Sequence, residues 1–242
     1  MTRIAAIIQA RINSSRLPGK ILKTLYSDLN SIDLIQLRLS KSKYINKIIF
    51  AVPQKDFDLI YYLKKREYSY SVGDENDVVS RYLYAASEHN IQKIVRITSD
   101  CPLVDPEIVD SCVQISSSFD YVSNNTPPEE SDYANGSDVE VFNTSLLKSL
   151  AKNFKSSRDK EHVTFPFWDG RMKISSYRLN KDKSDKSIRI TLDYKDDLVV
   201  IKRILNKTQN IHMSYNDIIL AYKEMGLDKI NGQYHYSQGW NK

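Results

Sequence analysis

A short loop near the start of the chain carries three cationic side chains close together. The loop reads QARINSSRLPGK over residues 9–20, and its cations are Arg11, Arg16 and Lys20. Backbone N–H groups in a tight polar turn bind phosphate oxygens, arginine adds bidentate contacts, and lysine adds a mobile positive charge. The loop matches neither the Walker pattern nor GxGxxG. Its composition is compatible with an anion site and equally with a solvated basic turn.

Further polar residues follow the predicted strands directly. In an open α/β sheet, ligands gather beyond the carboxyl ends of the strands, so residues at these ends are candidates for one shared site. Gly73, Asp100 and Asp193 each stand at such an end. Aspartates also end strands and begin helices for purely structural reasons. For Asp193 this alternative is open, because Asp196 and Asp197 follow it and either can cap the next helix.

The elements that must position these residues alternate between strand and helix. Continuous apolar runs such as residues 4–10 are typical of strands covered on both faces, and apolar residues at helical spacing follow several of them. This alternation predicts an α/β fold with a mostly parallel central sheet and helices on both faces. The predicted strands are residues 4–10, 47–52, 68–72, 93–98, 119–123, 138–142, 172–179 and 188–192. The predicted helices are residues 31–42, 56–65, 77–89, 105–116, 144–154, 158–165, 196–205 and 215–225.

The size and composition of the chain fit one domain with its own core. The chain has 242 residues, 41% of them hydrophobic, and a formal net charge of +5. This length and apolar content predict a single domain over residues 1–242. The charges are mixed along the chain, with no basic stripe interleaved with aromatic residues, so nucleic acid is not an expected partner. Residues 180–187 read as a solvated turn between two strands.

Cysteine content and hydropathy bear on the compartment. Cys101 and Cys112 form no disulfide framework in a chain of this length, which favours a reducing compartment. The apolar stretch at residues 4–8 is too short for a secretory signal or a membrane span. We therefore expect a cytoplasmic protein with no membrane partner.

The opening loop resembles the signature loop of the sugar-nucleotide cytidylyltransferases, which include the CMP-sialic acid and CMP-Kdo synthetases and a spore-coat-polysaccharide-type branch. The resemblance continues in the same order along nearly the whole chain. The further blocks are GDENDVVSRY (73–82), RITSDCPLVDP (96–106), DYVSNN (120–125), NGSDVEVF (135–142), KEHVT (160–164) and RITLDYKDDL (189–198). Together they are specific for the family but not for its acceptor. The implied fold is the Rossmann-like fold of the nucleotide-diphospho-sugar transferases.

The family transfers CMP from CTP to an acceptor oxygen and releases pyrophosphate. The resemblance implies that Arg11, Lys20 and Asp100 are catalytic. It implies that the nucleotide is bound by Ala10, Arg11, Arg16, Lys20, Gly73, Ser80 and Arg81. Gly73, Ser80 and Arg81 have an alternative role as a helix start and a helix-face cation. Asp100 and Asp193 match the family's metal-binding aspartates, and Mg²⁺ is the implied cofactor because it takes carboxylate and phosphate oxygens.

The same resemblance places the acceptor against Asp138, Glu140 and His162. Asp138 and Glu140 alternate in DVEVF and so point to one face of a strand, which a solvated strand face would also show. His162 either binds the acceptor or acts as a general base, since an imidazole titrates near neutrality. Departures from the family pattern at Ser137 and Lys160 border the acceptor side. We therefore expect the acceptor to be either a 2-keto sugar acid or a phosphorylated or phosphonate compound.

We therefore expect a Mg²⁺-dependent cytidylyltransferase that acts in precursor synthesis for surface polysaccharide or glycoconjugates. Its expected partners are CTP, a small anionic acceptor and a second copy of the chain, with an acceptor or dimerisation subregion at about residues 120–180. The alternative is a GT-A glycosyltransferase that uses a nucleotide-sugar donor. The Asp-x-Asp letters of that class occur at Asp56-Phe57-Asp58, but they read as a helix start.

Overall fold

The central sheet sets the frame of the molecule. The structure is a computed structural model that describes residues 2–154, 156–181 and 183–234. Within these ranges seven strands form one sheet in the order β3-β2-β1-β4-β6-β5-β7. The strands are β1 (Ile4–Gln9), β2 (Lys47–Pro53), β3 (Tyr70–Gly73), β4 (Lys93–Thr98), β5 (Tyr121–Ser123), β6 (Glu140–Asn143) and β7 (Ser176–Arg178).

The apolar run at the start of the chain becomes the central strand. β1 pairs in parallel with β2 on one side and with β4 on the other. Because side chains alternate along a strand, Ile8 enters the apolar layer on one face of the sheet and Ile7 the layer on the other. β6 runs antiparallel to both β4 and β5, while β5 and β7 are parallel. The predicted α/β fold with a mostly parallel sheet is confirmed.

Helices cover both faces of this sheet. They are α1 (Ser31–Leu39), α2 (Phe57–Lys65), α3 (Val78–Glu88), α4 (Pro106–Ile115), α5 (Thr144–Leu150), α6 (Ser157–His162), α7 (Phe165–Trp168), α8 (Lys195–Thr208), α9 (Tyr215–Glu224) and α10 (Asp228–Asn231). Apolar residues of α1, α2, α4, α8 and α9 join the layer that contains Ile8, and those of α3, α5 and α7 join the layer that contains Ile7. No helix within the described ranges is long and apolar enough to cross a membrane.

The predicted strand at residues 188–192 is not a strand of the sheet. The segment makes one isolated parallel bridge, between Asn135 and Arg189. Its backbone pairs with two different loops, since Ile190 N donates to Asn135 O at 2.7 Å and Leu192 N donates to Asp100 O at 2.8 Å. Ile190 and Leu192 are buried, which explains the strand-like pattern in the sequence. The segment therefore joins the loop after β4 to the loop before β6.

The structure also corrects the predictions for residues 172–179 and 180–187. The predicted strand at 172–179 is reduced to β7. The predicted solvated turn at 180–187 includes residue 182, which lies outside the described residues, and it is not solvated throughout. Asp185 is buried and pairs with Lys181 at 3.1 Å and with Lys223 at 2.8 Å. A buried carboxylate needs such partners, and one of them, Lys223, comes from α9, outside the local pattern.

A buried arginine ties the loop after β4 to the α8–α9 connection. Arg38 on α1 is fully buried. Its guanidinium donates to Leu103 O and Val104 O at 3.3 and 2.7 Å, and to Met213 O at 3.0 Å and Ile211 O. Burial lowers the pKa of Arg38 to about 10, which still leaves the group charged at neutral pH. The arginine therefore fixes the backbone just beyond Asp100.

We expect Arg38→Met to lower the free energy of unfolding by about 2–3 kcal/mol, because the buried carbonyls lose charge-assisted hydrogen bonds. Urea unfolding measures the change. Arg203→Met is the matched control, since Arg203 is exposed on α8 and its loss should matter little. Equal midpoints for Arg38→Met and the wild type would show that the carbonyls do not depend on this side chain.

Candidate active site

The cationic loop after β1 is folded into a compact turn that lines a cavity. Gly19 has φ +67°, a conformation that glycine adopts readily, and its N–H donates to Ile12 O at 3.2 Å. A short 3₁₀ helix then begins at Lys20. The cavity has a volume of about 180 Å³. Its lining includes the predicted residues Ala10, Arg11, Arg16, Lys20, Arg81 and Asp100.

Lys20 brings the two predicted metal-binding aspartates together. Its Nζ lies 3.0 Å from Asp100 Oδ2 and 2.7 Å from Asp193 Oδ1. Arg16 Nη2 lies 2.7 Å from the same oxygen of Asp193. Burial opposes ionisation of Asp100, but the Lys20 charge and a hydrogen bond from Thr98 outweigh it and lower the pKa of Asp100 to about 2. Both carboxylates therefore converge on one positive charge.

The helix-capping role that competed for Asp193 belongs to Asp197. The Asp197 carboxylate accepts from the backbone N–H of Asp193 and of Tyr194, each at 2.9 Å, and so begins α8. It is fully buried and also pairs with Arg189 at 2.8 Å. Arg189 in turn donates to Asp193 Oδ2 at 3.3 Å. Asp193 is thus held in place by the cap and its own carboxylate is directed to Lys20.

A second cavity adjoins the first on the side of β6. It also has a volume of about 180 Å³. Its lining includes the predicted acceptor residues Asp138, Glu140 and His162 together with Asp193. Gln9, Arg16, Thr98 and Asp100 line both cavities. The two cavities therefore meet at the end of β1 and β4, beside Asp100.

The three predicted acceptor residues differ in what surrounds them. Glu140 is buried, and its two oxygens accept from Arg96 and from Tyr121 OH. Burial and the nearby charge of Asp100 raise the pKa of Asp138 to about 6, against a hydrogen bond from Asn125 that lowers it. Burial lowers the pKa of His162, and the Arg96 charge lowers it further. The imidazole is therefore neutral at neutral pH.

Two residues predicted to bind the nucleotide, Gly73 and Ser80, line neither of the two cavities. Ser80 is exposed in the first turn of α3, where its hydroxyl donates to Asp77 O at 2.8 Å. Gly73 ends β3, and a Cβ built on it would lie 2.8 Å from Arg81 Cγ. Glycine at this position therefore leaves room for the Arg81 side chain. The nucleotide-binding roles of Gly73 and Ser80 stay predictions.

Arg81 itself is buried without the partners that a buried cation normally has. Its side chain lines the first cavity, and Nε and Nη1 have no hydrogen-bond partner among the described residues. Burial lowers the pKa of Arg81, and the charge of Arg11 acts in the same direction. A buried guanidinium without an acceptor is costly, so this position favours an anionic or acceptor-rich ligand.

The Asp-x-Asp letters at residues 56–58 do not form part of either cavity. Asp56 precedes α2 and accepts from Ile12 N at 2.8 Å, while Phe57 and Asp58 lie in its first turn. As predicted, these letters mark a helix start. The structure offers no support here for a glycosyltransferase metal motif.

Sequence reasoning missed several residues of the site. Gln9, Arg96, Arg189 and Tyr194 line the second cavity, and none was predicted as a site residue. Gln9 and Arg96 lie in strands that read as apolar, where an isolated polar side chain was the available signal. Arg189 and Tyr194 flank Asp193 inside a matched block, but their contacts depend on α8.

The donor set for a metal consists of carboxylates alone. In residues 2–154, 156–181 and 183–234, no three side chains of His, Cys, Asp or Glu are arranged to hold a metal ion. Asp100 and Asp193 are brought to one positive charge, and both are hard oxygen donors. Mg²⁺ commonly binds through one or two carboxylates with phosphate oxygens and waters. The residues present therefore fit a divalent cation that arrives with a phosphate ligand.

The sheet carries a cationic loop and two adjoining cavities at its strand ends, where α/β folds of this kind bind their ligands. The chain belongs to the cytidylyltransferase family, whose sequence model matches residues 5–198. It is therefore a nucleotidyltransferase by family. Curated relatives include the spore coat polysaccharide biosynthesis protein SpsF of Bacillus subtilis, 30% identical over 219 residues, which cover 86% of this chain and 88% of SpsF.

One solved structure agrees with this assignment, and a second shares the fold. A cytidylyltransferase from Leptospira borgpetersenii superposes with a TM-score of 0.89 at 28% identity. The alignment covers 97% of this chain and 100% of that chain. A CMP:2-keto-3-deoxy-manno-octonic acid synthetase solved with CTP superposes with a TM-score of 0.64 at 11% identity. That alignment covers 86% of this chain and 100% of the synthetase, and at this identity it supports the fold alone.

Proposed function

We propose that this protein transfers CMP from CTP to an acidic sugar or to a phosphorylated or phosphonate acceptor, and releases pyrophosphate. The reaction belongs to precursor synthesis for surface polysaccharide or glycoconjugates. The observation that carries the proposal is the convergence of Asp100 and Asp193 on Lys20, where a cationic cavity meets a second cavity. A transferase needs this arrangement because each substrate requires its own site and both must reach one reacting centre.

In the proposed reaction an acceptor oxygen attacks the α-phosphorus of CTP in line. The new phosphorus–oxygen bond forms as the bond to pyrophosphate breaks, and the acceptor proton leaves to a base or water. Such transfers depend on positioning and charge neutralisation more than on covalent help from the protein. Arg11, Arg16 and Lys20 line the first cavity and neutralise the charge that grows on pyrophosphate.

Asp100 and Asp193 are proposed to hold a divalent cation, with Mg²⁺ as the first choice. When bound, such a cation polarises a phosphate oxygen and neutralises part of its charge. The chain's own contribution is to fix the two carboxylates. Arg189 and the Asp197 cap orient Asp193, and Leu192 N and Thr191 Oγ1 bind the Asp100 carbonyl at 2.8 and 3.2 Å.

The acceptor is proposed to occupy the second cavity. Asp138 and His162 face it as polar groups. Three arginines line it together with four carboxylates, so its wall offers cationic donors to an acidic group and acceptors to hydroxyls. Because both oxygens of Glu140 already accept hydrogen bonds, we assign Glu140 a role in orienting Arg96. The name of SpsF supports a polysaccharide precursor, and the cytidylyltransferase family supports a cytidine nucleotide as the donor.

The assembly and compartment are also part of the proposal. We propose a homodimer in the cytoplasm, with the interface in the subregion at about residues 120–180. Within this subregion β7 is an edge strand of the sheet, and Tyr177 on it is 38% exposed. An unpaired strand edge is a surface that a second chain can cover.

One screen tests the proposed function. Pyrophosphate release is measured with each of the four common nucleoside triphosphates against a panel of keto-acid sugars, sugar phosphates and phosphonates. The expected result is release that requires CTP, a divalent cation and one acceptor class. A preference for ATP or UTP would overturn the assignment of CTP, and transfer from a nucleotide sugar without pyrophosphate release would support the glycosyltransferase alternative.

Arg81 gives a prediction in which stability and binding move in opposite directions. Arg81→Met removes a buried guanidinium that lacks partners, so the free energy of unfolding should rise by about 1 kcal/mol. CTP affinity should fall by roughly 10- to 100-fold, because a charge-assisted hydrogen bond to the ligand is lost. Thermal unfolding and calorimetric titration measure the two effects. A variant that is less stable yet binds CTP normally would show that Arg81 is structural.

A further inference from the structure

The last residue of the central strand lies at the junction of the two cavities. Gln9 ends β1 and lines both of them, as do Arg16, Thr98 and Asp100. Under the proposed function, the nucleotide occupies one cavity and the acceptor the other. The group that must lie at the junction is the phosphoryl group being transferred, because the new bond joins the two substrates there. Gln9 is therefore next to the reacting atoms.

The orientation of the Gln9 amide follows from its neighbours. Arg96 Nη2 lies 3.0 Å from Gln9 Oε1, and Tyr82 OH lies 3.4 Å from the same atom. A guanidinium has donors and no acceptor, so the amide atom that faces Arg96 must be the oxygen. The Nε2 group then points away from Arg96, and it donates to no acceptor among the described residues. Its N–H groups are available to a ligand.

A chain of buried polar groups holds Arg96 in this position. Tyr121 OH donates to Glu140 Oε2 at 2.6 Å, and the other oxygen of Glu140 pairs with Arg96. Tyr121, Glu140 and Arg96 are all nearly inaccessible to solvent. Because each member is fixed by the next, the Gln9 amide is oriented before any substrate binds. Preoriented donors of this kind stabilise developing charge without the cost of reorganisation.

We propose that Gln9 is a catalytic residue whose Nε2 donates a hydrogen bond to a non-bridging oxygen of the α-phosphate during transfer. This inference rests on the proposed function, since it takes the phosphoryl group to lie between the two cavities. The contact strengthens as charge develops on that oxygen, so its loss lowers kcat more than it weakens CTP binding. Arg96 and Glu140 are positioning residues for the amide.

Two substitutions separate donation from orientation. Gln9→Glu keeps an oxygen for Arg96 and Tyr82 but has no N–H, while Gln9→Met is neutral and has neither group. Both should lower kcat by on the order of 10²-fold, and Gln9→Met should bind CTP like the wild type. Gln114→Glu is the matched control, because Gln114 is exposed on α4 and lines neither cavity. A purely structural role predicts that Gln9→Glu retains the wild-type kcat.

A second measurement does not require the acceptor. The side-chain amide resonance of Gln9 in ¹⁵N-labelled protein, assigned by its absence in Gln9→Glu, should shift with Mg²⁺ and CTP but not with cytidine. If the wild type binds no CTP, the proposed function fails and this inference falls with it. If CTP binds and turns over, a wild-type kcat in Gln9→Glu overturns the role of Gln9 alone. If CTP binds without turnover, an unmoved Gln9 resonance overturns it.

Discussion

Asp100→Asn should lose cytidylyl transfer activity by on the order of 10³-fold, because the proposed divalent cation contributes several kcal/mol of charge stabilisation. Asparagine has nearly the same shape, and its side-chain oxygen still accepts from Lys20, so the fold should persist. What it lacks is the negative charge that a hard cation needs. The variant should therefore fail in kcat at every Mg²⁺ concentration that supports the wild type. Steady-state pyrophosphate release, with circular dichroism to verify folding, measures this.

Asp58→Asn is the matched control for that substitution. Asp58 is exposed in the first turn of α2 and lines neither of the two joined cavities. It is also the second aspartate of the Asp-x-Asp letters, so the same variant tests the glycosyltransferase alternative. We expect wild-type activity from Asp58→Asn. If Asp58→Asn lost activity while Asp100→Asn kept full turnover, the assignment of the metal site to Asp100 and Asp193 would be wrong.

Lys20→Met is the second substitution with a large expected effect, a fall in kcat on the order of 10²- to 10³-fold. Lys20 is 7% exposed and its ammonium lies between two carboxylates. Burial opposes its charge, but Asp100 and Asp193 raise the pKa of Lys20 above its ordinary value, so it stays charged. Methionine fills the same space without charge. It leaves both carboxylates without their shared cation and leaves the pyrophosphate charge less neutralised.

Lys23→Met provides the comparison for Lys20, since Lys23 is exposed at the end of the same 3₁₀ turn. Its activity should match the wild type. Burst kinetics of pyrophosphate release separate the chemical step from product release in each variant. If Lys20→Met shows a normal chemical step, the lysine only organises the free protein, and the assignment of Lys20 as a catalytic residue is wrong.

The first half of the fold was predictable because its signals are local. The apolar run of β1 and the Asp105-Pro106 start of α4 each depend on neighbours in sequence. The Asp105 carboxylate caps α4 by accepting from Glu107 N at 2.7 Å, and proline suits the first helical position. The C-terminal half was less predictable because its backbone pairs with distant loops. Residues 188–192 alternate like a strand, yet their hydrogen bonds go to Asn135 and to Asp100.

The sequence predicted which residues belong to the site better than it predicted which of them contact each other. The resemblance and the strand-end argument together named Lys20, Asp100 and Asp193, and the structure brings these three together. That one ammonium joins both carboxylates was not predicted, since the lysine was assigned to phosphate and the aspartates to metal. The pair of Arg96 and Gln9 was missed because a polar residue in an apolar strand has no local signal for its partner.

The loop before β6 packs closely against residues 188–192, so the segment that leads to Asp138 and the segment that leads to Asp193 constrain each other. Gly136 has φ +101°, and a Cβ built on it would lie 2.2 Å from Thr191 N. A side chain there would push against the segment that ends in Asp193, while Asp138 lies two residues further along. Chimeras that exchange the loop before β6 between relatives are therefore constrained in where the two parent sequences can be joined. The crossover points must keep this glycine and its opposing segment from the same parent.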